Sequence, residues 1–242
     1  MIAGFIITGN SNKPVGLRGI GPSLAAPPFN LTGVLLDPVL ELRDANSSVF
    51  LNDNWKDTQR SQIEGTALQP SDDHESVILI SLAPATYTAI LTGKGGTNGI
   101  GLVEVYDTNQ AVDAQLSNIS TRGFVQANND VMIGGFILGN SSTTGRIAIR
   151  GLGPSLSQFG LNPVLADPTL ELHDANGNTL ITNDNWLDDP TSAALLTANG
   201  LALSDTKESG IFTSLPPGTF TAILAGKNGG VGIGLVEVYN LK

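Results

Sequence analysis

The sequence predicts an all-β protein made of two tandem β-sandwich domains, jelly-roll-like, with about seven to eight strands and one short helix in each. Three observations predict it. The octapeptide GIGLVEVY stands at 99–106 and again at 232–239. Apolar and polar residues alternate at the two-residue period of half-buried strands. Glycine and proline are abundant, at 29 and 13 residues, and only 5% of the chain is aromatic, which favours short strands and many turns over long helices.

The repeated octapeptide is one of a series. RGIGPSL (18–24) returns as RGLGPSL (150–156), DPVLELRDAN (37–46) as DPTLELHDAN (167–176), NDNW (52–55) as NDNW (183–186), and SLAPATYTAILTGKGG (81–96) as SLPPGTFTAILAGKNG (214–229). The order never changes, so the chain reads as a duplicated unit of roughly 105–110 residues, long enough to bury its own core. The expected division is 1–107 for the first sandwich, 108–115 for a polar linker and 116–242 for the second. The second copy opens with an extra lead strand over 116–125, followed by a polar turn to 130; the first copy has no counterpart.

Within each copy the elements follow in order. VLELRD sets Leu40 and Leu42 on one face, and TLELHD does the same with Leu170 and Leu172. DANSS and DANGN join two strands, with Asp or Asn closing the turn. Asp189 and Pro190 begin a helix that Asn199-Gly200 ends, and Asp57 is expected to cap its counterpart, which stops near Gly65. YTAIL and FTAIL are rich in strand-forming residues. GKGGTNG and GKNGGVG read as hairpin tips, and LVEVY then sets Val103 and Val105, or Val236 and Val238, on one face.

These words together resemble a tandem β-sandwich repeat of large bacterial exported proteins, over nearly the whole chain. They are also similar to the pre-peptidase C-terminal (PPC-type) domain, which shares the L-x-L-x-D-A-N-G hairpin and the L-P-x-G-x-Y/F-T strand. The resemblance implies a secreted or cell-surface location and a non-catalytic accessory role in adhesion, assembly or targeting. It brings no catalytic residues.

The bulk numbers narrow the role. Lys plus Arg number 12 against 22 Asp plus Glu, a net charge of −10, which repels phosphate backbones and anionic bilayers. No apolar run approaches the ~20 residues of a membrane helix. The absence of cysteine excludes disulfides, thiolate metal sites and cysteine nucleophiles. The opening MIAGFIITGN lacks a basic region, so it does not read as a signal peptide; an exported protein's signal would lie upstream or have been removed.

No constellation reaches a catalytic template. GKGGTNGIG lies between strands and lacks the spacing of a phosphate loop. Ser23 and Ser155 are not in a nucleophile elbow, and His74 and His173 are not equivalent between copies. No enzyme is expected. The metal candidates are Asp44, Asp53, Asp174 and Asp184, which with neighbouring asparagines offer the hard oxygens that calcium takes; turn chemistry explains the same residue types. Trp55 and Trp186 are expected to anchor strand against helix, with sugar stacking as the alternative. Arg18 and Arg150, in apolar strands, are expected to pair with Asp37 and Asp167. The functional expectation is an extracellular structural or adhesion module whose partners are proteins, including copies of itself joined head to tail into fibres by strand addition. The alternative is a carbohydrate-binding accessory domain of a secreted hydrolase.

Overall fold

A computed structural model describes residues 1–128, 130–139 and 144–241; Asn129, in the polar turn expected after the lead strand, lies outside them. The chain divides into two compact units, Met1–Ser117 and Asn118–Lys242. Both are antiparallel β-structures, as the alternation predicts.

Unit 1 contains β1 (Ile2–Gly9), β2 (Lys13–Ile20), β3 (Pro38–Arg43), β4 (Ser48–Asn52), α1 (Arg60–Ile63), β5 (Ser76–Leu82), β6 (Thr86–Gly93) and β7 (Leu102–Asp107). One sheet runs β1-β6-β3-β4 and the other β5-β2-β7. Phe5, Ile7, Leu40, Leu42, Ala89 and Leu91 from the first are buried, as are Val15, Leu17 and Ile78 from the second. β8 (Ala114–Val125) starts inside the stretch expected as linker. Within unit 1 the Asp113 carbonyl accepts from the Asn10 and Ser11 amides at 2.8 and 3.2 Å, and the Ser117 hydroxyl donates to the Ile6 carbonyl at 3.3 Å.

The remainder of β8 opens unit 2. There follow β9 (Met132–Leu138), β10 (Gly145–Leu152), β11 (Pro168–Asp174), β12 (Thr179–Asn183), α2 (Pro190–Ala198), β13 (Ser209–Leu215), β14 (Gly218–Gly226) and β15 (Gly232–Leu241). The sheets run β8-β15-β10-β13 and β9-β14-β11-β12. First strand beside last, second beside next-to-last, is the pairing order of a jelly roll. One apolar cluster joins Ile147, Ile149 and Val236 of one sheet to Leu170, Leu172 and Phe220 of the other. Among the described residues, the strands of unit 1 follow the same order from the second strand onward.

The hairpin β11–β12 shows how local chemistry sets the turns. Asp174 Oδ1 accepts the amides of Asn176 and Asn178 at 2.8 and 2.9 Å, and Gly177 takes a φ of +80°, a region where glycine has no Cβ penalty. Asp44 binds Asn46 and Ser47 in the same way at 2.8 Å each. These backbone hydrogen bonds hold the Asp44 carboxyl below its ordinary range, and the Asn178 side-chain bond, then its amide, does so for Asp174.

Two expectations are corrected. The glycine-rich segments after β6 and β14 are not hairpin tips, because β6 and β7, and likewise β14 and β15, lie in different sheets; they are arches that carry the chain across the sandwich. Asp57 does not cap α1. Its carboxylate accepts from Asn54 Nδ2 at 3.0 Å, as Asp188 does from Asn185, and Gln59 occupies the cap without a side-chain bond. Asp189, one residue beyond Asp188, caps α2 by accepting from Thr191 and Ser192 at 2.9 and 3.2 Å.

Candidate functional site

The sequence-derived metal residues serve two structural purposes. Asp44 and Asp174 close turns. Asp53 and Asp184 each face a lysine from the arch: Lys94 Nζ lies 2.5 Å from Asp53 Oδ2, and Lys227 bonds Asp184. The hydrogen bond to aspartate pushes each ammonium up from its ordinary value. The cation beside these two carboxylates is therefore the chain's own. Among the described residues, no three His, Cys, Asp or Glu side chains gather as a metal-holding group.

Arg18 and Arg150 are paired, but not with Asp37 and Asp167. Arg18 Nε lies 3.3 Å from Glu104, and Arg150 binds Glu237 at 2.5 and 2.8 Å. The strand register explains the correction, since Arg18 stands opposite Glu104 and Arg150 opposite Glu237. Asp37 and Asp167 instead use their carbonyls to accept the Lys94 and Lys227 amides at 2.9 Å.

A tyrosine joins each ion pair. Tyr106 donates to Glu104 Oε1 at 2.7 Å. Burial first, and then this bond, pushes its phenol up to about 12. Burial, followed by the charge of Glu237, raises Tyr239, and burial, followed by the charge of Asp44, raises Tyr87. These are the only tyrosines, 3 in all. An acid whose folded value is raised keeps its proton where the unfolded chain has lost it, so stability falls as pH rises above 10.0, the ordinary value. We expect a native-state absorbance titration with no phenolate step near pH 10, and one such step after denaturation; a native step there would refute the burial of these rings.

Two buried glutamates were missed in the sequence because they look like ordinary loop acids. Glu75 and Glu208 are fully buried. Glu75 Oε1 accepts the Gly21 and Ser23 amides at 3.0 and 2.9 Å, and Oε2 accepts the Ser23 hydroxyl at 2.6 Å. Glu208 Oε1 accepts the Gly153 and Ser155 amides at 3.1 and 3.0 Å and also the Ser155 hydroxyl. The GPSL serines therefore hold a loop. A Cβ on Gly153 would stand 2.0 Å from the Leu165 carbonyl oxygen, which explains the glycine of that motif.

The tryptophans are buried, Trp55 at 1% and Trp186 at 9% exposure. Trp55 packs with Ile63 of α1 and Val77 of β5; Trp186 packs with Ala193 and Leu196 of α2. Neither provides a free ring for a sugar.

The two units differ at one strand edge. In unit 2, β15 lies between β10 and β8, with Val238 opposite Ile119, Val236 opposite Thr121, Gly234 opposite Gly123 and Gly232 opposite Val125. In unit 1, β7 pairs with β2, and among the described residues no strand lies along its other edge. The consequences fall on identical residues. Val236 is 1% exposed, whereas Val103 is half-buried; Ile100 is 44% exposed, whereas Ile233 is half-buried. Gly99 to Gly101 fall outside β7, although Gly232 to Gly234 belong to β15.

A cavity of ≈ 290 Å³ opens at the same place in unit 1, bounded by Met1, Leu35, Leu91, Gly93, Gly99 and Gly101. In unit 2 the matching residues Leu165, Leu224 and Met132 form one buried cluster with Val125. A Cβ on Gly234 would meet Val125 Cγ2 at 3.4 Å, while the atoms nearest one on Gly101 belong to Leu91, Ile20 and Leu35. Met132 is 7% exposed and Met1 47%.

No protein-family model matches the chain, and no curated protein matches it. Among solved structures, the chain is similar to "Crystal Structure of the STIV MCP", with a TM-score of 0.29 and 11% identity over 98% of this chain and 90% of that one. It is also similar to "Crystal structure of infectious bursal disease virus VP2 subviral particle", with a TM-score of 0.23 and 10% identity over 98% of this chain and 68% of that one.

Proposed function

We infer that the chain is a non-catalytic structural module of the bacterial cell exterior, acting in adhesion and assembly by strand addition. The observation that supports this reading most is the edge of β7, made of the same residues as an edge that unit 2 covers with a strand. Exposed edges of this kind are templates for pairing with another chain. The polar groups fit the reading too. The buried glutamates hold the GPSL loops, and the arginine–glutamate pairs are engaged with their own unit.

Screening the purified chain against ester and glycoside substrates tests the non-catalytic part. No turnover above a heat-denatured control is expected, and turnover that saturates with substrate would overturn the reading. Assembly from this chain alone would require β8 to leave β15, which opens one edge for each edge closed. Sedimentation across a wide concentration range is accordingly expected to show a monomer.

A further inference from the structure

We propose that His173 is a proton-operated latch on the β11–β12 hairpin, closed when both ring nitrogens carry a proton and open when one has lost it. The ring lies beside the turn and has a partner at each nitrogen. Nδ1 stands 3.1 Å from the Gly177 carbonyl oxygen, and Nε2 stands 2.8 Å from Glu171 Oε2. Both partners are acceptors. A neutral imidazole has one N–H and one lone pair, so it donates to one of them and turns a lone pair on the other. The imidazolium donates to both. The His173 side chain is 15% exposed, so little water reaches the ring to replace a lost partner. The strand register gives this contact its leverage. His173 stands opposite Thr179, and the β11–β12 pairing slips between Leu172 and His173. The ring thus ties turn to strand across a bulge, where the backbone ladder is interrupted.

Unit 1 supplies the comparison. β3 and β4 slip at the same place, between Leu42 and Arg43. Arg43 occupies the position of His173, and its Nε lies 3.1 Å from Glu41, the counterpart of Glu171. A guanidinium keeps its charge near neutral pH, whereas an imidazolium loses its charge there. The same hairpin therefore carries a permanent pair in unit 1 and a switchable one in unit 2. The charged groups that face the ring are Glu171 and Asp174, both on β11; the turn 175–178, β12, β14 and β9 carry no charged side chain. Both acids favour the imidazolium. The Gly177 carbonyl first, and Glu171 next, raise the imidazole above its ordinary value. For a base raised on folding, the stabilisation is complete below that ordinary value of 6.5 and is lost as pH rises through the folded value. The latch is closed in acid and opens as the solution becomes alkaline. β12 is the outermost strand of its sheet, so among the described residues β11 alone holds it when the latch opens.

The test uses the full chain. Amide hydrogen exchange is followed from about pH 5 to about pH 9, which brackets the titration of histidine. Protection is read as the ratio of residues 174–182 to residues 44–51, so that the pH dependence of exchange chemistry itself cancels. A magnetic-resonance titration of the ring protons gives the pH at which His173 changes charge. As pH rises through that titration the ratio is expected to fall about two- to fivefold, the range that an exposed ion pair allows. His173→Arg copies Arg43 and is expected to hold the ratio constant; it also assigns the ring signal, since His74 is the other of the 2 histidines. Glu171→Gln removes the charge beside Nε2 and is expected to move the step to lower pH. A ratio that stays flat through the titration of His173, a step that survives in His173→Arg, or a ring that titrates at or below its ordinary value would each overturn the proposal. The first and last of these need no variant, so a substitution that fails to fold cannot shield the latch from the test.

Discussion

Glu208→Ala is expected to destabilise unit 2 by about 3–5 kcal/mol, the sum of two stranded buried amides and a cavity. The carboxylate accepts both the Gly153 and Ser155 amides, and nothing else in the described structure reaches them. The loop is closely packed here, since a Cβ on Gly153 would stand 2.0 Å from the Leu165 carbonyl oxygen. The same glutamate's backbone carbonyl accepts the Trp186 amide at 2.8 Å, so loop and tryptophan share one support. Glu208→Gln keeps an acceptor oxygen of the same reach and is expected to cost only about 1–2 kcal/mol, the difference between a charged and a neutral hydrogen bond. Denaturant unfolding with the two variants side by side checks this. A domain of this size has a stability of about 5–15 kcal/mol in all, so the alanine variant's midpoint should fall far below that of the glutamine variant. Equal midpoints would mean that the carboxylate does not hold the loop. Glu75→Ala is expected to act alike on unit 1, where the Gly21 and Ser23 amides lose their acceptor and the Ser23 hydroxyl loses its own, as the Ser155 hydroxyl does in unit 2.

The repeat and the strand faces were legible because they depend on local pattern. Leu40, Leu42, Leu170 and Leu172 are buried as the alternation requires. Asp189 caps its helix as its position before Pro190 implies. What was not legible depends on which strands become neighbours. Arg18 finds Glu104 rather than Asp37 because the β2–β7 register places them opposite each other, and no spacing in the chain encodes that register. A glycine-rich arch and a glycine-rich hairpin use the same residues, so the crossing from β6 to β7 had no separate signal. The octapeptide GIGLVEVY makes the point within one chain. Its residues all lie in β15, yet in unit 1 only Leu102 onward is strand. With the sequence held constant, the difference goes with the β8 strand that lies along β15 and has no counterpart along β7 among the described residues. The candidate site was for the same reason only half visible: the lead strand of the second copy could be read, but the cavity bounded by Met1, Leu35 and Leu91 could not.

Trp55→Ala is expected to cost about 3–5 kcal/mol, the usual range for deleting a large buried aromatic side chain, and Trp55→Phe about 1–2 kcal/mol because most of the apolar contact survives. The ring lies under α1 against Ile63, Val77 and the half-buried Leu79. Its backbone amide donates to the Glu75 carbonyl at 2.8 Å, which fixes the main chain from which the ring enters the core. α1 has a single turn and no capping side chain, so it has little stability of its own, and loss of the ring is expected to release it. Trp186 sits under the longer, capped α2, and its removal is expected to leave that helix in place while still loosening its packing. Circular dichroism and denaturant midpoints of the two alanine variants read this difference. Intrinsic fluorescence adds an independent check, since both rings should emit at short wavelength and resist aqueous quenchers until unfolding. A tryptophan serving as a sugar platform would behave in the opposite way. It would quench readily in the native state, and its removal would abolish ligand binding while leaving the unfolding midpoint where it was.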